Sequence, residues 1–219
     1  MCFAVVVGLA AEARVAGRVG LRAIVVGGGP TRSLTLVERL VSEGVKGLVS
    51  FGICGGLDPA LASGTLVLPR VVCGGEGQRY PVDGAWRDAL AAALRGVGME
   101  IAEGDILGLD AIVSTPQDKA SLFGKTAACA VDLESHIVAE AARKAGIPFI
   151  VLRVVADPAW RGLPAAALIP LDTQGRPVLR HVLRSLLSQP RQTPHLIRLA
   201  YETQRALSVL RRGARLLAS

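Results

Sequence analysis

Apolar residues form two kinds of block along the first two thirds of the chain. Short continuous apolar runs, bounded mostly by glycine or proline, predict buried strands. These runs lie at 3–9, 21–28, 46–52, 65–72, 104–113 and 148–156, and a further element begins at 128–133. Segments with helical spacing predict helices at 10–16, 31–44, 86–98 and 134–146. Apolar strands that alternate with helices favour an α/β domain with a largely buried sheet.

The pattern changes near residue 164, where a stretch with several prolines and a glycine precedes two basic segments of helical spacing, 178–187 and 195–217. We therefore predict one α/β domain at 1–163 and a basic helical extension at 164–219 that packs on it. The apolar side of these two helices has two interpretations. It packs on the domain or on a second subunit, or it lies on a membrane surface.

Charge is concentrated in this extension. The chain has a net charge of +7, and the span from 176 to 219 holds nine arginines against a single acid, Glu202. The rest of the chain is close to neutral, which argues against a broad nucleic-acid-binding face. A basic tail is attracted to anionic lipid, so an anionic membrane surface is a candidate partner.

Composition narrows the class of protein further. Of the 219 residues, 51% are hydrophobic and 20% are charged, which excludes a disordered chain. Four cysteines and three histidines show no metal-ligand or disulfide spacing, so we expect reduced thiols, no metal ion and no cofactor. We expect the apolar N-terminal run to be a first strand and not a signal peptide, and no uncharged apolar run is long enough to span a bilayer. We expect a cytoplasmic protein, with peripheral attachment to the inner face of the membrane as the alternative.

Two glycine-rich turns follow predicted strands. The turn "VVGGGPTRS" at 25–33 leads a strand into a helix, so its backbone N–H groups are suited to hold an anion. It lacks the last glycine of G-x-G-x-x-G, which weakens any dinucleotide-binding interpretation, and a plain tight turn is the alternative. The turn "SFGICGGLDP" at 50–59 has three glycines in five positions, which let the backbone approach a ligand closely.

Four acidic residues are candidates for chemistry. Asp132 and Glu134 stand two residues apart in an apolar segment, where charges are costly unless they are paired or used. Asp157 follows the last buried strand, the end at which open α/β sheets bind ligands. Glu12 lies near the start of a helix. Each has a structural alternative: a helix cap for Asp132, the first residue of a helix for Glu134, a turn residue for Asp157, and a first-turn acid favoured by the helix dipole for Glu12.

Three segments in this order resemble the purine nucleoside phosphorylase family, in particular its methylthioadenosine/S-adenosylhomocysteine nucleosidase branch. They are "VVVGLAAEARVA", "GLVSFGICGGLDPALASGTLVLPRVV" and "AVDLESHIVAEAARKAGIPFIVLRVVADPA". The next stretch, "ADPAWRGLPAAALIPLDTQGRPVLRHVLRSLLSQP", is similar to the hopanoid-associated phosphorylases, also called adenosylhopane nucleosidases. The resemblance implies a three-layer α/β/α fold with a mixed central sheet and a C-terminal helical tail. It also implies release of adenine from adenosylhopane in hopanoid biosynthesis, by a homodimer.

The resemblance assigns roles to residues of this sequence. Asp157 matches the acid that protonates N7 of the leaving adenine, and Glu12 matches the carboxylate that activates the attacking water. Glu134 matches the carboxylate that grips the ribose hydroxyls, and Asp132 is the structural member of that pair. The binding residues that it implies are Leu133 beneath the sugar, Ile112 and Val113 on the base, and Gly55 and Gly56 in the turn, with Gly28, Arg32 and Arg14 as candidates for holding an anion or water. Burial would raise the pKa of Asp157, and Arg153, close in sequence, would oppose that effect.

Departures from the family pattern bear on the reaction. Ile53 stands where relatives have a serine or threonine that would hold phosphate or water, Ala156 replaces a serine, and Leu133 replaces a methionine. Because Ile53 cannot donate a hydrogen bond and Glu12 would repel phosphate, hydrolysis is favoured over phosphorolysis. The remaining alternatives are a catalytically weak protein that binds nucleosides or lipids, and a dinucleotide-dependent oxidoreductase.

Overall fold

The computed structural model describes residues 2–26, 29–169, 172, 174–176, 184 and 188–218 of the chain. The strands within this part are β1 (Ala4–Val7), β2 (Ala23–Val25), β3 (Leu48–Gly56), β4 (Leu66–Val67), β5 (Val71–Gly74), β6 (Arg79–Pro81), β7 (Ile101–Ala102), β8 (Ile106–Gly108), β9 (Ala130–Asp132) and β10 (Phe149–Asp157). The helices are α1 (Ala10–Gly17), α2 (Pro30–Ser42), α3 (Gly84–Gly96), α4 (Pro116–Thr126), α5 (Ser135–Ala145) and α6 (Thr193–Ala218). Single 3₁₀ turns cover Ala165–Ala167 and Pro190–Gln192.

The long strands β3 and β10 run parallel in the middle of the sheet, with Leu48 opposite Phe149 and Gly52 opposite Arg153. On its other edge, β3 pairs first with β1 in parallel and then with β9 in antiparallel orientation. Beyond β9 the order continues through β8 and β5 to β6, while β10 is followed by β4 and β7. The sheet is therefore mixed, as the resemblance implied.

Side chains that alternate along the strands enter two separate cores. Val5 and Val7 of β1 pack with helices α1, α3 and α6 on one face of the sheet. Ala4 and Val6 pack with α2 and α5 on the opposite face. This arrangement confirms the predicted three-layer α/β/α architecture.

The extents of several predicted strands are wrong, and one helix and the short strands β6 and β7 had no prediction. The glycine-rich segment predicted as a turn at 50–59 is strand as far as Gly56, where β3 ends. Pro69 cannot donate a ladder hydrogen bond, and the run at 65–72 is divided around it into β4 and β5. The run at 104–113 is a strand only in β8, and the chain then leaves the sheet as a loop. Helix α4 had no prediction, although Thr115 caps its N-terminus and Pro116 opens it.

Helix α6 packs on the domain along the second half of its length. The buried residues of this half include Ala206, Leu207, Leu210, Ala214 and Leu217, all of which lie in the core beside β10. The apolar stripe of this second half is thus an intramolecular contact, whereas Ile197 in the first half is 66% exposed. The other predicted basic helix, 178–187, lies outside the described residues except for Arg184. Within the described part of the chain, no helix combines the length and the apolar character needed to cross a bilayer.

Candidate active site

Three of the predicted acids lie where strands end around β3. Glu12 follows β1, Glu134 follows β9, and Asp157 ends β10. Strands β1 and β10 both run parallel to β3, so their carboxyl ends point to the same edge of the sheet. Strand β9 returns antiparallel along β3, which brings its last residues beside the glycine-rich half of β3. This is the edge at which open α/β sheets bind ligands.

Backbone N–H groups hold the Glu12 carboxylate from two sides. Its Oε2 accepts hydrogen bonds from Gly8 N (3.0 Å) and Leu9 N (2.8 Å), and its Oε1 accepts one from Ile53 N (2.8 Å). The bond to Leu9 is the local contact expected of an acid in the first turn of a helix. The bond to Ile53 is not local, because it joins α1 to β3. Burial raises the pKa of Glu12, while Arg153 and the three N–H donors oppose the rise.

Arg153 is the fully buried cation of this cluster. Its Nε forms an ion pair with Asp132 Oδ2 (2.8 Å), and its Nη2 donates to Glu134 Oε2 (2.9 Å). The same Nη2 donates to Ser50 Oγ (2.8 Å), and Nη1 donates to the Ile53 carbonyl (3.2 Å). The expectation that Arg153 opposes the pKa rise of Asp157 is wrong. Four residues of extended strand separate the two by about 13 Å, and Arg153 instead lowers the pKa of Glu12 and of Glu134.

Asp132 and Glu134 have different surroundings, as the sequence suggested. Asp132 accepts a hydrogen bond from Ser135 N (3.1 Å) and another from Ser135 Oγ, which anchors the start of α5. Ser135 Oγ also contacts Ser50 Oγ at 2.8 Å. Glu134 makes no cap hydrogen bond to the helix. Burial, with the negative charges of Asp132 and Glu12, raises the pKa of Glu134 to about 7 against the opposing effect of Arg153.

Glycines make room for these carboxylates. A Cβ atom at Gly8 would collide with Glu134 Oε1, and a Cβ atom at Gly52 would collide with Glu12 Oε1. Farther along β3, a Cβ atom at Gly55 would lie 3.3 Å from Asp157 Oδ2. A Cβ atom at the predicted site residue Gly56 would lie 3.3 Å from Pro158 Cα. The glycine-rich end of β3 therefore lets the backbone lie close to the candidate catalytic carboxylates.

Asp157 has a partner that sequence reasoning missed. Lys119 on α4 donates from Nζ to Asp157 Oδ2 at 2.6 Å, and the lysine side chain is 0% exposed. A β-bulge between Val155 and Asp157 interrupts the register just before the acid, which re-aims its side chain. Burial raises the pKa of Asp157, and Lys119 opposes the rise. The cap at Thr115 would have predicted the helix, but no sequence pattern shows which of its residues faces Asp157.

The structure gives less definite surroundings for the other predicted binding residues. Leu133 and Val113 are half-buried, and Ile112 is 46% exposed. Arg14 lies in the last turn of α1 and Arg32 in the first turn of α2, both with exposed side chains. Gly28 lies outside the described residues. The assignment of these last three residues to an anion or water site stays a prediction.

The described residues contain no group of three or more His, Cys, Asp or Glu side chains arranged to hold a metal ion. The chemistry available at this edge is that of carboxylates, one guanidinium and one ammonium.

Comparison with known proteins gives one family and one fold. Residues 6–176 match the family model described as the Phosphorylase superfamily. No curated protein sequence matches the chain significantly.

Solved structures of three enzymes superpose on this fold. The 5′-methylthioadenosine/S-adenosylhomocysteine nucleosidase of Neisseria meningitidis has 17% identity and a TM-score of 0.73, over 99% of this chain and 96% of that one. The S-adenosylhomocysteine nucleosidase of Streptococcus pyogenes has 15% identity and a TM-score of 0.69, over 97% and 95%. A futalosine hydrolase mutant of Helicobacter pylori has 16% identity and a TM-score of 0.66, over 85% and 98%. At these identities the likeness shows the fold alone.

Proposed function

This chain belongs to the Phosphorylase superfamily, and from that membership we propose that it cleaves the N-glycosidic bond of an adenosine-type nucleoside by hydrolysis. The observation that carries the proposal is the convergence of Glu12, Glu134 and Asp157 at one edge of the sheet. Each of the three has a pKa raised by burial. Acids with raised pKa values in a common cleft are the groups expected for proton transfer near neutral pH.

Each acid has a role that fits its surroundings. Glu134 accepts hydrogen bonds from the ribose diol, with Arg153 fixing its orientation through Oε2. Its negative charge also favours the oxocarbenium character that develops in the sugar. Glu12 activates the attacking water, and Asp157 donates a proton to the departing base. In such reactions general acid catalysis contributes about 10²–10⁴-fold.

Charge favours water over phosphate as the nucleophile. Among the described residues, Arg153 faces the carboxylates of Glu12, Asp132 and Glu134, and Lys119 pairs with Asp157, so the carboxylates outnumber the cations here. A phosphate dianion would add further negative charge at the same place. The backbone N–H of Ile53, which could hold phosphate, already donates to Glu12. Hydrolysis needs no such anion site.

Adenosylhopane is the substrate that we propose, because the stretch after Asp157 resembles the hopanoid-associated phosphorylases. The surface beside the site has room for a large substituent. Trp160, three residues beyond Asp157, is 56% exposed. A cavity of about 660 Å³ is lined by Trp160, Leu163, Pro164 and Ala165, together with polar side chains that include Arg161. Ligand pockets are of this size.

The test is product identification by mass spectrometry in H₂¹⁸O, with adenosylhopane and methylthioadenosine as substrates and with or without phosphate. We expect adenine and a ribosyl product that carries one ¹⁸O, at a higher kcat/KM for adenosylhopane. A ribose 1-phosphate product would replace hydrolysis by phosphorolysis. Failure to release adenine from either nucleoside would favour a binding protein.

Two variants test the roles proposed for Asp157 and Glu12. Asp157→Asn should lower kcat by about 10²–10⁴-fold, the usual size of a general-acid effect, and Glu12→Gln should lose adenine release. The control is Asp88→Asn, which changes an exposed acid on α3 and should leave kcat unchanged. Circular dichroism checks the fold of each variant. An Asp157→Asn enzyme within threefold of wild type would contradict the general-acid role.

A further inference from the structure

Lys119 is a fully buried lysine with four oxygen partners. Its Nζ lies 2.6 Å from Asp157 Oδ2 and 3.3 Å from the Asp157 carbonyl oxygen. It also lies 3.1 Å from the Pro158 carbonyl oxygen and 3.0 Å from that of Arg161. An ammonium group has three N–H donors, so these four acceptors satisfy it completely. The lysine ties α4 to the whole turn that follows β10.

A buried lysine is not explained by stability alone. Removing an ammonium from water carries a desolvation penalty of several kcal/mol, and a buried ion pair often stabilises a fold no better than apolar residues of the same volume. The fold alone therefore gives little reason for a charge here. The contact with a candidate catalytic acid gives a specific one.

We propose that Lys119 is a positioning residue for Asp157. Its ammonium group holds Oδ2 so that Oδ1 meets the nucleobase, and its positive charge favours the carboxylate form of the acid. The inference deepens the proposed function and rests on it. With Oδ2 engaged by the ammonium, the carboxyl group has one orientation relative to the turn at 157–161. The same contact lets Asp157 release its proton to the base at neutral pH, because the positive charge favours the carboxylate that remains.

The charged neighbours of Asp157 make the sign of the effect clear. Lys119 on α4 lowers the pKa of Asp157, and Glu202 on α6 raises it more weakly. Cys54 on β3 interacts with the same carboxylate, but burial raises the pKa of its thiol, so it is uncharged near neutral pH. Lys119 is thus the group that opposes burial. Its loss should therefore raise the pKa of Asp157, because an adjacent opposite charge that favours the carboxylate is removed.

The first test needs no substrate. The Asp157 carboxyl is titrated by ¹³C NMR in wild type, Lys119→Met and Lys119→Arg, with Asp157→Asn to assign its signal. Lys119→Met should raise the pKa, whereas Lys119→Arg, which keeps the charge, should leave it near the wild-type value. Lys125→Met is the matched control, because Lys125 is an exposed lysine of the same helix. An unchanged pKa in Lys119→Met would overturn the proposal.

A measurement on the wild-type protein remains possible even if Lys119→Met does not fold. The ¹⁵N shift of Lys119 Nζ should change at the pH where Asp157 titrates, because the two groups are in contact. An Nζ signal that does not respond there would refute the pairing. These NMR measurements are independent of turnover, so their failure is distinct from a failure to release adenine.

The second test uses the pH profile of kcat. Activity of a general acid falls as pH rises through its pKa, so Lys119→Met should move the falling limb to higher pH by the amount seen in the NMR titration. A uniformly lower kcat with an unmoved limb would indicate a purely structural role and would overturn the proposal. In the Asp157→Asn background, Lys119→Met should leave the shape of the residual profile unchanged.

Discussion

Replacing Glu134 by glutamine should remove a loss of stability that the wild-type protein undergoes as pH rises through neutrality, while it damages substrate binding. The pKa of Glu134 is about 7 in the folded protein, against 4.5 for an ordinary glutamate. The folded state therefore binds this proton more tightly than the unfolded state does. The resulting stability is fully present below pH 4.5 and is lost as pH rises through 7. Glutamine has no proton to lose, so the variant escapes this loss.

The size of the effect follows from the two pKa values. At about 1.36 kcal/mol for each pH unit of pKa difference, the linkage integral gives a loss of about 2.5 kcal/mol in wild-type stability between pH 5 and pH 8. Contributions that do not depend on pH, such as the changed contact with Arg153, cancel when the two pH values are compared. That loss is a large part of the stability of a typical domain.

The assay is urea unfolding of wild type and Glu134→Gln at pH 5 and pH 8. The free energy of unfolding of the variant should gain about 2.5 kcal/mol on wild type between the two pH values. Glu140→Gln is the matched control, since Glu140 lies on the same helix but pairs with Lys144 at the surface. A gain below about 0.5 kcal/mol, the usual limit for surface substitutions, would refute the buried, charge-crowded environment inferred for Glu134.

Two further predictions concern the backbone and the tail. Gly8→Ala should lower kcat/KM about 10- to 100-fold without unfolding the protein, because its Cβ atom displaces Glu134, and one charge-assisted hydrogen bond is worth that factor; a kinetically normal variant would contradict the packing. The tail should bring the protein to anionic but not neutral vesicles in co-sedimentation at about 0.1 M salt, and the binding should vanish near 1 M. Changing Arg211, Arg212 and Arg215 to glutamine should weaken it, and equal pelleting with both lipids would exclude electrostatic docking.

The acids of the site could be predicted because each lies next to an apolar strand in the sequence. Glu12, Glu134 and Asp157 are each placed by the end of a local element, so locating the strands almost locates the residues. The resemblance then supplied their roles. The three-layer fold followed from the same strands and helices, since continuous apolar strands need helices on both faces.

The partners of these acids could not be predicted, because they meet over long separations in the chain. Lys119 and Asp157 are 38 residues apart, and the Arg153–Ile53 contact spans 100. Helix periodicity tells which residues share a face but not which face meets the site. The division of the run at 65–72 is a different case, because Pro69 is apparent in the sequence. A proline inside a strongly apolar run interrupts the strand, and the predicted strand did not allow for it.

The local hydrogen bonding of Glu12 connects the sequence departure at Ile53 to the reaction class. N–H groups just before α1 and in the glycine-rich end of β3 converge on one point, which is a common arrangement in anion-binding sites. Here the anion is the chain's own carboxylate, held by Gly8, Leu9 and Ile53. A phosphate ion could use these donors only if Glu12 withdrew or took up a proton. A neutral water needs only an acceptor, which the fourth lone pair of Glu12 still offers. The side-chain hydroxyl absent at Ile53 is therefore no loss to the proposed hydrolysis, because the backbone N–H of that residue already holds Glu12, the proposed base, in place.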